Sequence, residues 1–450
     1  MSDPEIVAVV DEGLGNSSYL VDLGDGTAMV VDPARHPGPY RAEAQKRGLS
    51  LAVAVETHLH ADFVSGSREL AARGVRVVAA RAAGLGHPHH GMVDGQRLDL
   101  GGLTLEALAT PGHTPEHLAY LLRDGNRPVA LFSGGSLLVG AVARTDLVSA
   151  DRTEELARSL WRSIGEQLLS LPDDLAVYPT HGAGSFCSIT PGGDRVTTIG
   201  RERLANPLLS AGDEDAFVDR LLAGFGTFPP YFLELREVNR QGPHVYGRWP
   251  KLNTLDVAAV QGLLADGAVI VDVRPVEPFA AGHIPGSLSI PLRPQFASWL
   301  GWLVDRRATI VFVVDKGQDR ADLVRHCLGI GYECLAGELA GAVDAWRGRA
   351  LPVATVELVT AGDAAGTLVD VRQASEFAAG HVPGALSMEL GDTPAQAGAL
   401  PSGPLTVMCG HGERAMSAVS ILEAQGRTDV TVLVGGPADV VAARHQRLAV

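Results

Sequence analysis

Two stretches in the carboxy-terminal half of the chain closely repeat one another. Val269–Arg274 followed by Phe279–Gly286 recurs as Thr367–Arg372 followed by Phe377–Gly384. Two segments this alike predict two domains with the same fold, because each copy builds its own supersecondary unit. In each copy an apolar strand, a short polar loop and a helix come next. This order is typical of a parallel α/β sheet that binds ligands at the carboxyl ends of its strands.

The first 225 residues follow a different pattern, in which short apolar strands alternate with glycine-rich turns. Ala28–Asp32 and Pro128–Phe132 are two of these strands, and the pattern predicts one strand-rich α/β domain. A helix is expected near 213–224, and the prolines after it favour an extended connection to the repeats. We therefore assign residues 1–247 to the first domain with its linker, 248–352 to the first repeat and 353–450 to the second.

The charge of the chain restricts its partners. The 450 residues carry a formal net charge of −15, which leaves no basic surface for nucleic acid or an anionic membrane and favours small molecules and thiols. The first residues lack the features of an export signal, and no apolar stretch reaches the length that crosses a bilayer. A cytoplasmic protein that forms a homo-oligomer is expected.

The cysteines are too few for a disulfide framework in a chain of this length, so they are expected to be thiols. They are Cys187, Cys327, Cys334 and Cys409. Cys327 and Cys334 fall on a helix and on the next strand of the first repeat. Both are expected in the core, because cysteine is among the most buried residue types.

Several histidines lie where apolar strands end. His58, His60 and Asp62 alternate along one such segment, and alternate side chains of an extended chain point to the same side. Imidazole and carboxylate groups arranged in this way can converge on one cation. His113 and His181 also follow apolar strands. The sequence therefore predicts a metal site at one edge of a sheet.

The second repeat carries a cysteine where its strand meets its helix. The loop consists of Cys409, Gly410, His411, Gly412, Glu413 and Arg414. Backbone N–H groups of a glycine-rich loop at a helix N-terminus stabilise an anion, so Cys409 is expected to be a reactive thiol and the residues through Glu413 to cradle its substrate. Arg414 would add fixed positive charge for an anionic sulfur donor.

The repeated motifs and the thiol loop together resemble a rhodanese domain, over nearly all of residues 355–450. The resemblance implies transfer of sulfane sulfur through a persulfide on Cys409, with thiosulfate or sulfite as small partners. The first repeat is similar in scaffold, but it has Asp315 at the position of the cysteine. A persulfide cannot form on that residue. The first repeat is therefore expected to be a non-catalytic rhodanese-like domain that serves packing, orientation or partner contact.

The histidine series of the first 225 residues resembles the metallo-β-lactamase superfold, an αββα sandwich with metals at one edge. Within that superfold, the segments 57–66, 133–138 and 143–146 look most like persulfide dioxygenases. The fold class expected for the whole chain is α/β, with this sandwich followed by two rhodanese-like doubly wound domains. The resemblance implies one Fe(II) held by two histidines and an aspartate, and oxidation of glutathione persulfide or a similar thiol persulfide by dioxygen to sulfite.

The ligand set departs from that family at one position. His58 and His113 match the two histidines, whereas Gly135 stands where the aspartate is expected. Three outcomes are open: His60 completes a three-histidine face for iron or zinc, an aspartate at 62 or 146 replaces the missing ligand, or the site is empty. Losing an anionic ligand should weaken metal binding. Phe63 separately counts against a two-metal hydrolase.

Two further residues near this site are expected to contact substrate. Arg144 lies in one of the dioxygenase-like segments, and Cys187 follows the turn of His181. Proteins similar to this fusion carry a cysteine at the latter position, which suggests persulfide handling near the metal. A structural role for the Cys187 thiol remains an alternative.

Three functional hypotheses follow from these residues. The first is an enzyme of sulfide and persulfide metabolism that oxidises a thiol persulfide at one metal and transfers sulfane sulfur through Cys409. The second is a zinc-dependent thioester hydrolase. The third is a metal-free degenerate domain that acts as a scaffold or persulfide sensor beside an active sulfurtransferase. The motif sets and the domain order favour the first.

Overall fold

The computed structural model describes residues 3–187 and 193–449. The chain separates into two compact units. The first comprises residues 1–250 together with 325–331, and the second comprises 251–324 together with 332–450.

The first unit contains two six-stranded sheets. One is formed by β1 (Ile6–Asp11), β2 (Asn16–Asp22), β3 (Thr27–Val31), β4 (Ser50–Val55), β5 (Arg76–Ala80) and β6 (His90–Met92) in this spatial order. The other is formed by β7 (Arg97–Asp99), β8 (Leu103–Ala109), β9 (Leu118–Asp124), β10 (Arg127–Gly134), β11 (Ala176–Pro179) and β12 (Thr197–Thr198), also in sequence order. Strands β3 to β6 are parallel, and so are β10 and β11.

Alternation along the strands separates the core into layers. On β2, Tyr19 and Val21 belong to the cluster between the sheets, while the intervening Leu20 packs with Tyr40 of helix α1 (Gly38–Lys46). Successive side chains of a strand point to opposite faces, so one sheet can contact both a second sheet and a helix layer. On the second sheet, Leu131 faces outward and packs with helices α3 (Thr153–Ser163) and α5 (Glu214–Ala223). The predicted αββα sandwich is confirmed.

The remaining helices of the unit include one in the segment that was expected to be extended. These helices are α2 (Ser67–Ala71), α4 (Ile199–Ala205) and α6 (Phe232–Gln241). Helix α5 confirms the helix predicted near 213–224 and is capped by the Asp213 carboxylate, which accepts from the N–H of Ala216 at 2.9 Å. Helix α6 ends at Gly242, whose φ of 91° stops helical continuation. The prolines therefore precede a helix and do not make the whole connection extended.

The second unit contains two parallel five-stranded sheets with the same spatial order of equivalent strands. The first is β13-β17-β16-β14-β15, from β13 (Thr254–Leu255), β14 (Val269–Asp272), β15 (Leu288–Ser289), β16 (Ile310–Val313) and β17 (Leu335–Leu339). The second is β18-β22-β21-β19-β20, from β18 (Glu357–Val359), β19 (Thr367–Asp370), β20 (Leu386–Ser387), β21 (Leu405–Met408) and β22 (Val430–Leu433). The helices are α7 (Val257–Ala265), α8 (Val276–Ala281), α9 (Phe296–Leu303), α10 (Arg320–Gly329), α11 (Ala342–Arg347), α12 (Ala374–Ala379), α13 (Thr393–Gln396), α14 (Glu413–Ala424) and α15 (Pro437–Ala443). Of α10, only residues 320–324 belong to this unit.

The repeated motifs have a structural explanation in both copies. The Arg372 guanidinium pairs with Asp370 at the end of β19 and donates to the Gly380 carbonyl at 2.8 Å. Arg274 pairs with Asp272 and donates to the Gly282 carbonyl at the same distance. The aspartate and arginine thus join a strand end to the following glycine-histidine turn, and this requirement is the same whether or not the copy carries a cysteine.

The two thiols that were expected in the core of the first repeat differ in their burial. Cys327 is buried in α10, as predicted, but Cys334 is exposed just before β17, so the prediction of a core thiol is wrong at that position.

Among the described residues, the helices are too short or too polar for any of them to cross a bilayer.

Candidate functional site

Four histidines from three loops meet at one edge of the sandwich. His58 and His60 follow β4, His113 lies between β8 and β9, and His181 follows β11. The ring of His58 lies 4.2 Å from that of His60, 4.7 Å from that of His113 and 5.3 Å from that of His181, measured between centroids. Each of the four residues is at most 4% exposed. The structure therefore brings the three strand-end segments together, as their positions predicted.

Hydrogen bonds fix the orientation of the His58 ring. Its Nδ1 lies 2.8 Å from the Thr57 hydroxyl oxygen, and that hydroxyl donates its own proton to Asp32 Oδ2 at 2.7 Å. The hydroxyl oxygen must therefore accept from Nδ1–H, which leaves the Nε2 lone pair of His58 free. A neutral imidazole oriented in this way by a carboxylate network is typical of a metal ligand.

His113 and His181 are oriented in the same way. Nδ1–H of His113 donates to the Arg144 carbonyl at 2.6 Å, and Nδ1–H of His181 donates to Asn16 Oδ1 at 3.0 Å. The Asn16 amide is itself fixed, since it donates to Asp62 Oδ2 at 2.8 Å. In the neutral form of each ring, the lone pair is then carried by Nε2.

His60 differs because it faces two carboxylates. Its Nε2 lies 3.1 Å from Glu56 Oε2 and 3.2 Å from Asp32 Oδ1, while its buried Nδ1 has no hydrogen-bond partner. Burial alone would lower the pKa of His60, but the Asp32 charge and the hydrogen bonds raise it to about 10. The ligand atoms of His58, His60 and His181 lie within 4.8 Å of one another.

Burial favours the neutral form of His58, of His113 and of the nearby His117. Burial, followed by the neighbouring histidines, lowers the pKa of His58 and His113 well below the ordinary value. Burial also lowers the pKa of His117 to about 3, and the Nε2 of that ring accepts from the N–H of Gly135 at 3.0 Å. A metal ion binds the neutral form of imidazole, so His58 and His113 can bind one without the loss of a proton, whereas both ring nitrogens of His117 are engaged in hydrogen bonds.

Asp32 connects the loops that carry these rings. It is fully buried at the end of β3 with a φ of 47°, a left-handed conformation that is uncommon outside glycine. Its carboxylate accepts from the N–H and hydroxyl of Thr57 and from the Thr180 hydroxyl, besides its contact with His60. Strained residues of this kind persist where the surrounding contacts hold them, and functional sites are the usual places.

Gly135 and Phe63 remove side chains that a two-metal site would need. A Cβ at Gly135 would lie 2.8 Å from His113 Cγ and closer still to Cδ2, so the His113 ring occupies the space where a longer side chain would begin. The Phe63 ring stacks on His60 at 4.2 Å between centroids. Burial by itself would raise the pKa of Asp62, but its contacts with His181 lower it.

Arg144 is locked in place by its surroundings. Its guanidinium pairs with Asp146 at 2.6 and 2.7 Å, donates to the Gly226 carbonyl at 2.8 Å and lies over the Phe228 ring. The Arg144 carbonyl holds His113. This geometry supports a positioning role, and substrate contact by Arg144 stays a prediction. Asp146 is occupied by the same pair.

Helix α6 contributes a positioning residue that sequence reasoning missed. The Asn239 side chain donates to the carbonyls of His60 and Phe63 at 2.8 and 2.9 Å, and it accepts from the N–H of Ser65 at 2.9 Å. Asn239 is 4% exposed. The signal lay in the spacing: Asn239 continues the helical stripe of Phe232 and Leu235, where an apolar side chain would be expected.

A pocket reaches the cluster from one side. It touches His58 and His60 and is lined further out by Leu85, Arg68 and His87. Leu85 provides apolar surface, and Arg68 and His87 provide hydrogen-bond donors. Glu56 adds a carboxylate to the same lining, so the pocket combines apolar surface with hydrogen-bonding groups of both kinds.

The thiol loop has the geometry expected of an anion cradle. Cys409 follows β21, and its Sγ accepts from the N–H of Gly412 at 3.1 Å directly before α14 begins. Gly412 has a φ of 102°, which a side chain would not readily adopt. Arg414 is not free, because its guanidinium pairs with both oxygens of Glu376 and lies 5.6 Å from the Trp299 ring. Cys409 is 1% exposed.

The corresponding loop of the first copy is closed on itself. The Arg320 guanidinium donates to the carbonyls of Asp315 and Gln318 and pairs with Glu338. The Gln318 side chain accepts from the N–H of Asp315 and donates to the Val273 carbonyl. An arginine and a glutamine thus occupy the region where the second copy presents a thiol, which agrees with a non-catalytic role.

Comparison with known proteins defines the class of the chain. Residues 11–181 match the metallo-β-lactamase superfamily, and residues 256–349 and 355–443 match the rhodanese-like domain family. The protein therefore has a metallo-β-lactamase superfamily domain followed by two rhodanese-like domains. The three domain boundaries given above remain a prediction.

Relatives narrow this class. Human mitochondrial persulfide dioxygenase ETHE1 is 33% identical over 202 residues, covering 44% of this chain and 73% of the relative. A hydroxyacylglutathione hydrolase from Synechococcus sp. is 36% identical over 173 residues, covering 36% of this chain and 62% of the relative. The crystal structure of a metallo-β-lactamase from Staphylococcus aureus subsp. aureus COL has a TM-score of 0.66 and 29% identity, and covers 75% of this chain and 99% of that one. The chain belongs to the family of persulfide dioxygenase–rhodanese fusion proteins, as its motifs predicted.

Proposed function

We propose that this protein is an enzyme of persulfide metabolism in which the metal domain oxidises a thiol persulfide and Cys409 transfers sulfane sulfur. The observation that carries the proposal is the set of buried imidazoles with free Nε2 atoms, in the same chain as a thiol cradled at the start of a helix. Each half has a chemistry that the other complements, because the first produces sulfite and the second can pass sulfur to sulfite.

The imidazole cluster fits a single transition-metal ion. His58 and His113 would be the histidine ligands shared with the family, and His181 and His60 stand beside them. The Nε2 atoms of His58 and His181 lie 3.3 Å apart. Two nitrogens bound at about 2.05 Å to one tetrahedral ion are separated by about 3.3 Å. When bound, Fe(II) would supply the redox chemistry with dioxygen, whereas zinc would supply Lewis-acid chemistry.

The protein side chains supply orientation and a dry environment. Asp32 and Thr57 fix the His58 ring, and burial of the four histidines keeps bulk water away from the reacting groups. The pocket with Arg68 and His87 would bind the acidic end of glutathione persulfide or a similar molecule. The overall reaction balances as one persulfide, one dioxygen and one water giving one thiol and one sulfite with its protons.

The sulfurtransferase half follows from the thiol loop. The Cys409 thiolate attacks the sulfane sulfur of thiosulfate, the sulfur–sulfur bond of thiosulfate breaks, and sulfite leaves with the electron pair. The N–H of Gly412 donates to the attacking Sγ and is placed to donate to the persulfide that forms. An acceptor, either sulfite or a thiol, then removes the terminal sulfur. The Glu376 pair of Arg414 must rearrange before that guanidinium can contact the donor.

Two assays test the halves separately. Sulfur transfer from thiosulfate should be present in wild type, absent in Cys409→Ser and unchanged in Cys334→Ser, which alters an exposed thiol outside the loop. Oxygen consumption with glutathione persulfide should require metal and fall in His113→Gln, but not in His445→Asn on the exposed surface of the last domain. Absence of both activities in metal-loaded wild type would overturn the proposal.

The thioester hydrolase is the second candidate. It is favoured by the hydroxyacylglutathione hydrolase relative and by the retention of Asp62 and His181, although Phe63 and Gly135 remove other groups. Zinc-dependent cleavage of a glutathione thioester without oxygen consumption would support it. Protein that binds no metal and retains only the Cys409 reaction would instead indicate the scaffold or sensor role. The cytoplasmic location and the homo-oligomer remain predictions.

A further inference from the structure

The Cys187 thiol lies inside the imidazole cluster. The ligand atoms of His113, His181 and Cys187 lie within 4.8 Å of one another. Each of the three residues is at most 1% exposed. A thiol packed against two imidazoles differs from a core thiol such as Cys327, because one sulfur and two nitrogen atoms here offer three possible ligands to one small volume.

Backbone hydrogen bonds hold the thiol segment against the His113 loop. The N–H of Arg144 donates to the Cys187 carbonyl at 2.8 Å, and the Arg144 carbonyl accepts from His113 Nδ1. The N–H of Cys187 donates to the Ser185 hydroxyl at 3.1 Å. One residue therefore positions both the thiol and the imidazole, in the way that surrounding groups usually orient metal ligands.

Two independent observations point to a cation in this volume. The Nε2 atoms of His58 and His181 face each other at 3.3 Å although each ring uses Nδ1 to donate. Asp62 Oδ1 is buried without an N–H or O–H donor, and the carboxylate lies beside the Cys187 thiol, whose pKa is raised by burial and by the Asp62 charge. With both rings neutral, the two Nε2 lone pairs oppose each other at a cost in free energy, as does a buried carboxylate that is short of donors, and a positive ion between these groups would remove both costs.

We infer that Cys187 is a thiolate ligand of the metal, acting with His113 and His181 in place of the carboxylate that Gly135 cannot provide. The inference rests on the proposed function only in requiring that the cluster binds a metal. A sulfur ligand restores the anionic charge that the substitution at 135 removed, and a mixed nitrogen and sulfur set favours zinc or ferrous iron over magnesium or calcium. Metal binding would displace the proton of the Cys187 thiol into solvent.

Cobalt(II) substitution tests the inference without any enzyme assay. Metal-free full-length protein carrying Cys409→Ser and Cys334→Ser, which we call the parent, is titrated with Co²⁺. The parent should develop visible bands of a nitrogen-bound ion together with a near-ultraviolet thiolate-to-cobalt charge-transfer band. Cys187→Ser should abolish the charge-transfer band and weaken metal binding by at least about 100-fold, since even outer-shell partners contribute 10- to 100-fold. Cys327→Ser, at a buried thiol outside these ligand groups, should change neither.

A second measurement avoids dependence on a variant that folds poorly. X-ray absorption of the zinc-loaded parent should show one sulfur scatterer at about 2.3 Å beside the nitrogen shell. Visible bands without charge transfer, a nitrogen-only shell and unchanged affinity in Cys187→Ser would overturn the inference while leaving the metal centre intact. Failure of the parent to bind Co²⁺ or Zn²⁺ would overturn the metal centre itself.

Discussion

For a substitution at Gly135, the structure and a comparison with the family motif predict different effects. A comparison of motifs suggests that Gly135→Asp restores a missing ligand and therefore increases iron binding. The structure predicts in addition a steric cost, because the new side chain would collide with the His113 ring. A Cβ at this position would lie 2.8 Å from His113 Cγ and 3.2 Å from the Ala143 Cβ, whereas ordinary contact begins at 3.4 Å. The His113 ring must therefore retreat by about 0.6 Å or more.

The size of the effect follows from what holds that ring. Retreat lengthens the 2.6 Å hydrogen bond from His113 Nδ1 to the Arg144 carbonyl or turns the ring away from it. Overpacking of a filled core costs about 1–3 kcal/mol. The lost hydrogen bond costs about 1 kcal/mol more. Gly135→Ala, which adds the Cβ without a carboxylate, should therefore lower the free energy of unfolding by about 2–4 kcal/mol and weaken metal binding by about 10- to 100-fold.

Chemical denaturation of the metal-free protein and metal content after anaerobic iron loading measure the two effects. Gly135→Asp should lower the stability of the metal-free protein as much as Gly135→Ala does. Any iron that its carboxylate helps to bind would appear only in the metal content. Gly212→Ala provides the control, because a Cβ there meets open space and the glycine lies outside the left-handed region in which a side chain is strained. If Gly135→Ala keeps wild-type stability and metal content, His113 moves freely and the steric reasoning is refuted. If Gly135→Asp binds one iron per chain without loss of stability, a single substitution restores the ligand set of the family and the steric argument is likewise refuted.

The remaining predictions concern the supporting residues. Asn239→Ala removes three buried hydrogen bonds to the segment that carries His60 and should lower the free energy of unfolding by about 3 kcal/mol or more and metal affinity by about 10-fold. Asn253→Ala, at an exposed asparagine, is the control, and equal effects of the two substitutions would contradict a positioning role for Asn239. Asp315→Cys in a Cys409→Ser background should not restore sulfur transfer, because Arg320 and Gln318 fill that loop, and measurable transfer would show the loop to be adaptable. Glu376 has a lowered pKa: burial opposes the shift and Arg414 causes it, so its stabilisation should be present above about pH 4.5 and disappear as pH falls through the lowered value. The difference in unfolding free energy between wild type and Glu376→Gln, measured from pH 6 to pH 3, should shrink over that range, and a constant difference would refute the ion pair as its source.

The sequence predicted those parts of the site that depend on strand ends. His58, His113 and His181 each follow an apolar strand, so the local pattern placed each of them at a strand end. The resemblance to the superfold implied that these strands, which belong to two different sheets, end at one edge. Cys409 was recognisable for the same reason, since its loop and helix are contiguous in the chain. The repeat likewise predicted two sheets of one topology before any contact was known.

The parts that were not predicted depend on partners far apart in the chain. Nothing near His60 indicates that Asp32 would hold its Nε2, because 28 positions separate them and a left-handed turn sets the approach. Arg414 was expected to offer free charge, but Glu376 comes from another helix and occupies it. Cys334 was placed in the core by residue type alone, and exposure there is decided by packing that a single segment does not encode.

The contacts of helix α6 define how far the metal domain extends along the chain. The family match of the metal domain closes at residue 181, yet the side chain that grips its metal loop lies at Asn239, well outside that match. A fragment cut at the border of the match would keep every histidine of the cluster and lose the part that holds two of their loop carbonyls. The structural domain is therefore longer than the part that matches the family, and a truncated or fused version of it should include the chain as far as Gly242.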